Sequence, residues 1–311
     1  MKIVIAGGTG FCGRLLTAHF AACRHEVVIL SRCLTQTPGA VTMLWDGETP
    51  GDWLTALEGA DAVINLAGRS VNCRYRGDNC AAIYASRLDS TRAIGEAIAA
   101  CAAPPSVWLN ASSATIYRYA EDREMDEHSG EFGNGFSVDV CRRWERELFT
   151  ASTPRTRRVA LRSAMVFGPE PGGVWDAFAE LARFGLAGTM AGGRQFVSWI
   201  HSEDFSRAIE WIIAHHDLCG PVNVAAPFPL PNRDFLRAVR RAIERPIGLP
   251  SARWMLEAGA WLKGTETELL LKSRRFVPDR LLKSGFAFRY EHWPDAAAAI
   301  VKAGQKTVRA G

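Results

Sequence analysis

Three glycines near the start of the chain have a spacing that could hold a phosphate group. Gly7, Gly10 and Gly13 lie in the run GGTGFCG, directly after an apolar stretch. Between a strand and a helix, the first glycine allows a tight turn, the second lets a pyrophosphate approach, and the third lets the helix pack closely. Amide groups at the helix start then face the phosphates. The alternative is a plain glycine turn, but the strand–turn–helix context favours a dinucleotide-binding loop.

A hydroxyl and a guanidinium group follow the second apolar run, where dinucleotide-binding folds select their cofactor. This run, EVVIL at 26–30, ends directly before Ser31 and Arg32. An NAD site usually carries an acid here that holds the ribose 2′-OH. Arginine instead offers a planar fork of donors that suits the oxyanion of a 2′-phosphate. We therefore predict that the chain binds NADP(H) rather than NAD(H). The alternative is that Arg32 is only an exposed charge at a loop start.

Strands and helices alternate along the chain, and this alternation would position both groups. Continuous apolar runs are typical of strands buried on both faces. Such runs occur at 2–6, 26–30, 41–45, 61–67, 106–111 and 157–162. Helical patterns occur at 11–23, at about 79–102 and from 136 onward. The pattern predicts an α/β fold, a Rossmann doubly wound parallel sheet with helices on both faces.

After Gly168 the alternation loosens, which predicts a smaller and mostly helical C-terminal unit. We expect an NADP-binding Rossmann domain formed by residues 1–168 and 200–225. Residues 169–199 and 226–311 would form the smaller domain, and a substrate or partner would bind between it and the carboxyl edge of the sheet.

Composition and charge exclude several classes of protein. The 311 residues are 48% hydrophobic, and the formal charge of +4 is too small to indicate nucleic acid or membrane binding. The eight cysteines form no C-x-x-C pair and no Cys/His spacing typical of zinc, so we expect no metal site and a reducing compartment. Because a strand is predicted to begin at Lys2, we expect no signal peptide, and no apolar run is long enough to cross a bilayer. The expected location is the cytoplasm.

Several motifs occur in the order typical of one enzyme family. They are GGTGFCG at 7–13, NLAG at 65–68, SSATIY at 112–117, LRSAMVFG at 161–168 and SWIHSED at 198–204. On these runs the chain resembles the extended short-chain dehydrogenase/reductases, the NAD-dependent epimerase/dehydratase group. VCRRWE at 140–145, GGRQFVSWIH at 192–201, NVAAP at 223–227 and the tail at 274–290 resemble a narrower epimerase-like branch. Some of its members were once labelled cell-division-inhibitor-like, and their tails form a domain of unknown function.

The resemblance implies a set of cofactor contacts beyond the glycines and the pair at 31–32. These contacts are Thr9, Phe11, Cys12, Leu66, Ala67, Gly68, Ala111, Ser112 and Met165. Asp46, which follows the third strand, stands where the family often has an acid against the adenine amino group. The alternative for Asp46 is a turn aspartate before Gly47.

The family's catalytic pair is missing from this chain. Its chemistry uses a tyrosine as acid/base, a lysine that lowers the tyrosine pKa and holds the ribose, and a serine or threonine that positions the carbonyl. Ser113 keeps the serine position. Alignment of the Y-x-x-x-K-x-x-x-E helix on Glu145 puts Ser137 at the tyrosine place and Cys141 at the lysine place. No lysine lies between positions 3 and 262, and no tyrosine is followed by a lysine four residues later.

Few residues could replace the pair. Tyr117 could face the nicotinamide or be a buried aromatic, and a tyrosine near its ordinary pKa of about 10 is a poor acid/base at neutral pH. His201 has a suitable pKa for proton transfer, or else makes a structural hydrogen bond at a helix start. Cys141 could be a reactive thiolate, but packing is favoured.

The spacing of residues in the helix that begins at residue 136 favours packing over reactivity for the Cys141 thiol. Helical spacing from Phe136 puts Val140, Cys141 and Trp144 on one buried stripe, with Glu145 toward the other side. We therefore expect a buried thiol where the lysine ammonium would reach, which would leave the nicotinamide ribose without its usual cation.

Two functions remain open. One is an NADP(H)-dependent oxidoreductase or epimerase-like enzyme with a rearranged site, acting on a nucleotide sugar or a small carbonyl compound. The other is a non-catalytic protein that senses NADP(H). The retained Ser113 favours the enzyme, and the missing pair favours the sensor. A homodimer is an open alternative for the assembly, and no nucleic acid or membrane is expected as a partner.

Overall fold

A sheet of seven parallel strands forms the centre of the computed structural model, which describes residues 1–263, 266 and 271–310. Eleven strands occur among these residues: β1 Lys2–Ala6, β2 Glu26–Ser31, β3 Ala40–Leu44, β4 Ala62–Asn65, β5 Val107–Ser113, β6 Arg157–Ser163, β7 Met165–Phe167, β8 Phe196–Val197, β9 Trp199–His201, β10 Gly220–Val224 and β11 Leu230–Pro231. The order across the large sheet is β10-β6-β5-β4-β1-β2-β3, and the remaining strands form two small pairs.

Helices cover both faces of the sheet and build the C-terminal part. They are α1 Phe11–Ala22, α2 Leu54–Leu57, α3 Gly77–Ala100, α4 Phe136–Thr150, α5 Val174–Arg183, α6 Ser202–Ala214, α7 Asn232–Ala242, α8 Arg253–Lys263, α9 Asp279–Lys283 and α10 Trp293–Ala310. A short 3-10 turn spans Ala114–Ile116. None of these helices, taken over the described residues, is long and apolar enough to cross a membrane.

The central strand shows why the apolar runs lack alternation. In β1, Ile3 pairs with Val27 of β2 on one side and Ala62 of β4 on the other. Helices cover both faces, so Ile3 and Ile5 contact one core and Val4 contacts another. The predicted Rossmann doubly wound α/β fold is confirmed.

The third predicted strand differs from the others. We expected 41–45 to be buried on both faces, but Val41 and Leu44 are exposed to 63% and 61%. The reason is the position of β3 at the edge of the sheet, with β2 as its neighbour. An apolar run alone does not reveal that its strand lies at an edge.

A third core lies outside the sheet and is rich in aromatic side chains. Phe167, Phe235 and Trp293 lie at its centre, and the rings of Phe235 and Trp293 stack at 4.3 Å. This core joins α5, α7 and α10. The division of the chain into domains stays a prediction, and residues 264–265, 267–270 and 311 of the predicted C-terminal domain lie outside the described residues.

Candidate functional site

A cleft of about 550 Å³ opens at the carboxyl ends of β1, β2 and β4, and we call it the outer cleft. The strand order reverses between β1 and β4, and ligands of doubly wound folds bind at such a switch point. The lining includes the predicted cofactor residues Gly7, Thr9, Gly10, Ser31, Arg32, Asp46, Leu66, Ala67 and Gly68. These residues come from four separate stretches of the sequence, and the fold brings them together.

The glycine loop is shaped for a group that approaches the backbone. Gly7 has φ +76°, and a Cβ there would lie 3.0 Å from the amide nitrogen of Ala67. A Cβ at Gly13 would lie 2.4 Å from the carbonyl oxygen of Gly7, so only glycine lets the helix pack this closely. No described side chain caps the N-terminus of α1, which begins after Gly10. Its first amide groups are therefore suited to an anion.

Two predicted members of the loop contribute no side chain to the outer cleft. Phe11 instead contacts the Gly173 region and lines a separate cavity. Cys12 packs against the core, and burial raises the pKa of its thiol to about 11. Any contact of these two residues with a cofactor would therefore come from the backbone.

Arg32 lies in the outer cleft directly after the end of β2. Its side chain is exposed, and no carboxylate among the described residues lies within ion-pair distance of it. Ser31 beside it is nearly buried, with its hydroxyl 3.4 Å from the hydroxyl of Thr9. Arg69, which the sequence analysis did not single out, also lines this cleft and donates to Asn79 at 2.6 Å.

Asp46 lines the outer cleft but also holds its own turn. Its Oδ1 accepts from the amides of Glu48 and Thr49, each at 2.8 Å, and its Oδ2 accepts from the Thr49 hydroxyl. The Thr49 hydroxyl and these amides hold the pKa of the exposed carboxyl below its ordinary value. The turn alternative therefore describes what Asp46 does in this structure, and its contact with adenine stays a prediction.

A buried polar network fixes the loops beneath the outer cleft. Asn65, at the end of β4, accepts from the amide of Ala67 at 3.0 Å and donates to Asn110 at 2.8 Å. Trp144 of α4 donates to the hydroxyl of Thr91 on α3 at 2.9 Å, and that hydroxyl donates to Asn110 at 3.3 Å. The network ties the loop after β4 to both helices.

A second cavity of about 230 Å³ holds the three positions that the alignment assigned to catalysis, and we call it the inner cavity. Ser113, Ser137 and Cys141 all line it, together with Ser112 and residues of α3. The hydroxyl of Ser113 donates to Thr115 Oγ1 at 3.0 Å. The structure therefore brings the serine position and the two substituted positions into one space.

Ala111 and Met165 lie outside the linings of both the outer cleft and the inner cavity.

Tyr117 lies apart from the inner cavity in a fully bonded position. Its ring is 2% exposed, its hydroxyl donates to Asn223 at 2.8 Å, and the same hydroxyl accepts from Arg162 at 2.9 Å. Burial raises the pKa of this phenol. This placement favours the buried-aromatic alternative over a role at the nicotinamide.

His201 also lies away from the inner cavity. It precedes α6, and its Nδ1 accepts from the amide of Glu203 at 3.1 Å, so it caps the helix start. Burial lowers the pKa of the imidazole to about 4. The cavity that it lines contains Phe11 and Glu170 instead of the residues around Ser113. These contacts favour the structural alternative.

Cys141 is a packing residue of α4. Val140, Cys141 and Trp144 are all buried, as the helical spacing predicts, and burial raises the pKa of the Cys141 thiol to about 12. The same spacing placed Glu145 on the side opposite the buried stripe. That prediction was wrong, because Glu145 is only 8% exposed. The reason is a buried partner: Arg162 of β6 donates to both Glu145 oxygens at 2.8 and 2.7 Å, and Ser112 donates at 2.6 Å.

The Cys141→Ala variant is expected to keep NADPH affinity and any hydride-transfer activity within about threefold, because a thiol with so high a pKa is hardly ionised at neutral pH. Peptide mass spectrometry after brief iodoacetamide treatment should label exposed Cys23 and Cys33 well before Cys141. Clear loss of a wild-type activity in Cys141→Ala alone would show that the thiol takes part in the chemistry.

We also expect that Ser137→Tyr with Cys141→Lys does not create a fast dehydrogenase, because the surrounding residues are not shaped for that pair.

Three cations lie near Cys141, and the expectation that the nicotinamide ribose lacks its usual cation stays a prediction. Arg87 of α3, Lys272 and Arg274 all lie close enough to Cys141 for their charges to act on its thiol. Lys272 donates to the carbonyl oxygen of Thr115 at 3.0 Å, and Arg274 lines the inner cavity. Lys272 and Arg274 come from the C-terminal part, which local spacing could not place here. Arg87 had a usable signal, because it follows the buried Ile83 by four residues on one helix face.

A group of potential metal ligands lies where the C-terminal end of α1 meets α6. One ligand atom each of His19, Cys23 and Glu210 lies within 4.8 Å of the others. His19 Nε2 is 2.7 Å from a Glu210 oxygen, so a hydrogen bond between the helices accounts for the arrangement. Sequence spacing missed the group because Glu210 is 191 residues away from His19. The expectation of no metal site stays a prediction.

Comparison with known proteins agrees with this geometry. Residues 3–225 match the NAD dependent epimerase/dehydratase family. The chain belongs to that family. Residues 252–300 match a domain of unknown function, DUF1731, as the resemblance of the tail implies. The chain is therefore an NAD(P)-binding protein of the epimerase family.

Members of this epimerase family match the chain over nearly its whole length. Epimerase family protein ML0860 of Mycobacterium leprae is 33% identical over 290 residues, which cover 93% of this chain and 92% of that protein. YfhF of Bacillus subtilis is 30% identical over 312 residues, covering 99% and 100%. The crystal structure of human SDR39U1 with NADPH superposes with a TM-score of 0.85 at 28% identity, covering 97% of this chain and 99% of that chain.

Proposed function

We propose that the protein is an NADP(H)-dependent oxidoreductase or epimerase-like enzyme whose catalytic groups differ from the family pair. The observation that carries the cofactor choice is Arg32 in the outer cleft, exposed and without a carboxylate partner among the described residues. The crystal structure of the related human protein, which contains NADPH, supports the same choice.

The residues of the outer cleft fit such a cofactor. The glycine loop and the uncapped start of α1 suit the pyrophosphate, while Ser31 and Arg32 suit a 2′-phosphate. When bound, the nicotinamide would supply hydride chemistry. Ser113 would position a substrate carbonyl by donating its hydroxyl proton to the oxygen in place of Thr115.

Two neighbouring spaces support an enzyme over a pure sensor. The outer cleft suits a dinucleotide, and the inner cavity adjoins it with room for a further small molecule. A Cβ at Gly68 of the outer cleft would lie only 3.4 Å from the guanidinium carbon of Arg87, which lines the inner cavity. The absence of the tyrosine–lysine pair from α4 favours the second candidate, a non-catalytic protein that senses NADP(H).

Transfer of deuterium from C4-deuterated NADPH to a panel of carbonyl compounds, including keto forms of nucleotide sugars, distinguishes the two candidates. The enzyme predicts deuterium in one product by mass spectrometry, with the label lost in Ser113→Ala and kept in Ser106→Ala. Ser106 is an exposed serine before β5 and serves as the matched control. Tight NADPH binding without transfer to any compound would favour the sensor.

We also propose that the protein works in the cytoplasm, because all eight cysteines are free thiols. The predicted domain division, 1–168 with 200–225 and 169–199 with 226–311, would place the substrate where the C-terminal part meets the sheet. Arg274 supports this arrangement, because it enters the inner cavity from the C-terminal part.

A further inference from the structure

Arg87 is a partly buried cation on the wall of the inner cavity. It lies on α3, with its guanidinium 5.1 Å from the centre of the Trp144 ring. Its NH1 donates to the carbonyl oxygens of Arg69 at 3.1 Å and Ile83 at 3.2 Å. Burial lowers the pKa of this guanidinium. Its observed partners are thus a ring face and neutral carbonyl groups.

Arg162, a fully buried arginine near the inner cavity, shows what Arg87 lacks. Arg162 is held by both oxygens of Glu145, so its charge is neutralised inside the protein. No carboxylate of the described residues lies within ion-pair distance of Arg87. A partly buried charge without a counter-ion is less favourable than a paired one, and a bound anion would offset part of that cost.

The wall of the inner cavity adds further positive character. Arg274 lines the same space, and the described lining contains no aspartate or glutamate. The hydroxyl groups of Ser113, Thr115 and Ser137 supply neutral hydrogen-bonding groups beside these cations. The inner cavity therefore suits a ligand that carries an anionic group next to a neutral polar group.

We infer that the inner cavity binds the carboxylate or phosphate group of a small substrate through the guanidinium of Arg87. The inference rests on the proposed function, because it assigns a substrate class to the same site. A planar guanidinium suits a two-oxygen contact with such a group. The volume of about 230 Å³ is below the range of roughly 300–1,000 Å³ typical of pockets for larger ligands, so a small acid fits better than a whole nucleotide sugar.

The anion that contacts Arg87 could also be a phosphate of the cofactor, because Arg87 borders the outer cleft at Gly68. Calorimetry should therefore measure NADPH first and then malonate, oxamate and inorganic phosphate on the NADPH-loaded protein. Malonamide is the neutral counterpart of malonate. The variants are Arg87→Met, Arg87→Lys and the matched control Arg92→Met, which removes an arginine on the outer side of the same helix.

At least one anion should bind the loaded wild type clearly more tightly than malonamide. Its affinity should fall about 10- to 100-fold in Arg87→Met, less in Arg87→Lys, and stay within about threefold in Arg92→Met, with NADPH affinity nearly unchanged throughout. Equal binding of malonate and malonamide to the loaded wild type would overturn the inference. This comparison needs no variant, so the inference can still be tested if Arg87→Met misfolds. Failure of every anion, or an equal loss of NADPH affinity in Arg87→Met, would also overturn it. Failure of wild type to bind NADPH would instead contradict the proposed function.

Discussion

Replacement of Arg32 by alanine is expected to weaken NADPH binding about 10- to 100-fold and to leave NADH binding within about threefold. The reason is that a charge-assisted contact to the 2′-phosphate contributes roughly 1.5–3 kcal/mol, and NADH has no such phosphate. Arg32 is suited to the contact because it is exposed in the outer cleft and has no carboxylate partner among the described residues. Calorimetry with both cofactors measures the two affinities directly.

Arg183→Ala provides a matched control for this change. Arg183 is an exposed arginine at the end of α5, outside the residues that line the outer cleft. The control loses the same charge and should bind NADPH as wild type does. Equal affinity of the wild-type protein for NADPH and NADH would refute the assignment of Arg32 and the NADP(H) preference with it. Raising the salt concentration should also reduce the preference for NADPH over NADH, because salt screens the attraction between exposed charges.

Replacement of Glu145 by alanine should lower the free energy of unfolding by about 3–5 kcal/mol, because it leaves the buried Arg162 guanidinium without its counter-ion. The Glu145 and Arg162 side chains are 10% and 4% exposed, and two hydrogen bonds join them. Ser112 and Tyr117 contact the same pair, so the loss would reach β5 and the segment after it. Urea unfolding followed by circular dichroism measures the change.

Glu147→Ala is the matched control on the same helix. Glu147 pairs at 3.0 Å with Arg92, whose side chain is 50% exposed, so its loss should cost only about 0–1 kcal/mol. If Glu145→Ala were no more destabilising than Glu147→Ala, the buried pair would not be an important contact of the fold. Replacing both Glu145 and Arg162 by methionine should recover much of the lost stability, because no unpaired charge is then buried.

The sequence predicted the sheet well because its strands carry their information locally. Ile3, Val4 and Ile5 form a continuous apolar run, and this run is the central strand with both faces covered. The glycine loop was local in part, since a Cβ at Gly13 would meet Gly7 and Gly8, whereas a Cβ at Gly7 would meet the distant Leu66 and Ala67. The exposure of Val41 was missed because the order of strands in a sheet is not a local property.

The catalytic candidates were harder to place because their partners are distant in sequence. Tyr117 is held by Asn223, which lies 106 residues later, and Glu145 is buried by a partner on another strand. Arg274 reaches the inner cavity from the C-terminal part. Residue type indicated which groups could do chemistry, but only the fold shows that Tyr117 and His201 lie outside the inner cavity while Arg87 lies in its wall.

A crystal structure of the protein with NADPH would test the central claim most directly. Our account predicts that the 2′-phosphate lies within hydrogen-bond distance of the Arg32 guanidinium and that the nicotinamide lies beside the inner cavity, near Ser113 and Cys141. A complex in which the 2′-phosphate points into solvent away from Arg32, with the nicotinamide outside the neighbourhood of Ser113, would contradict it.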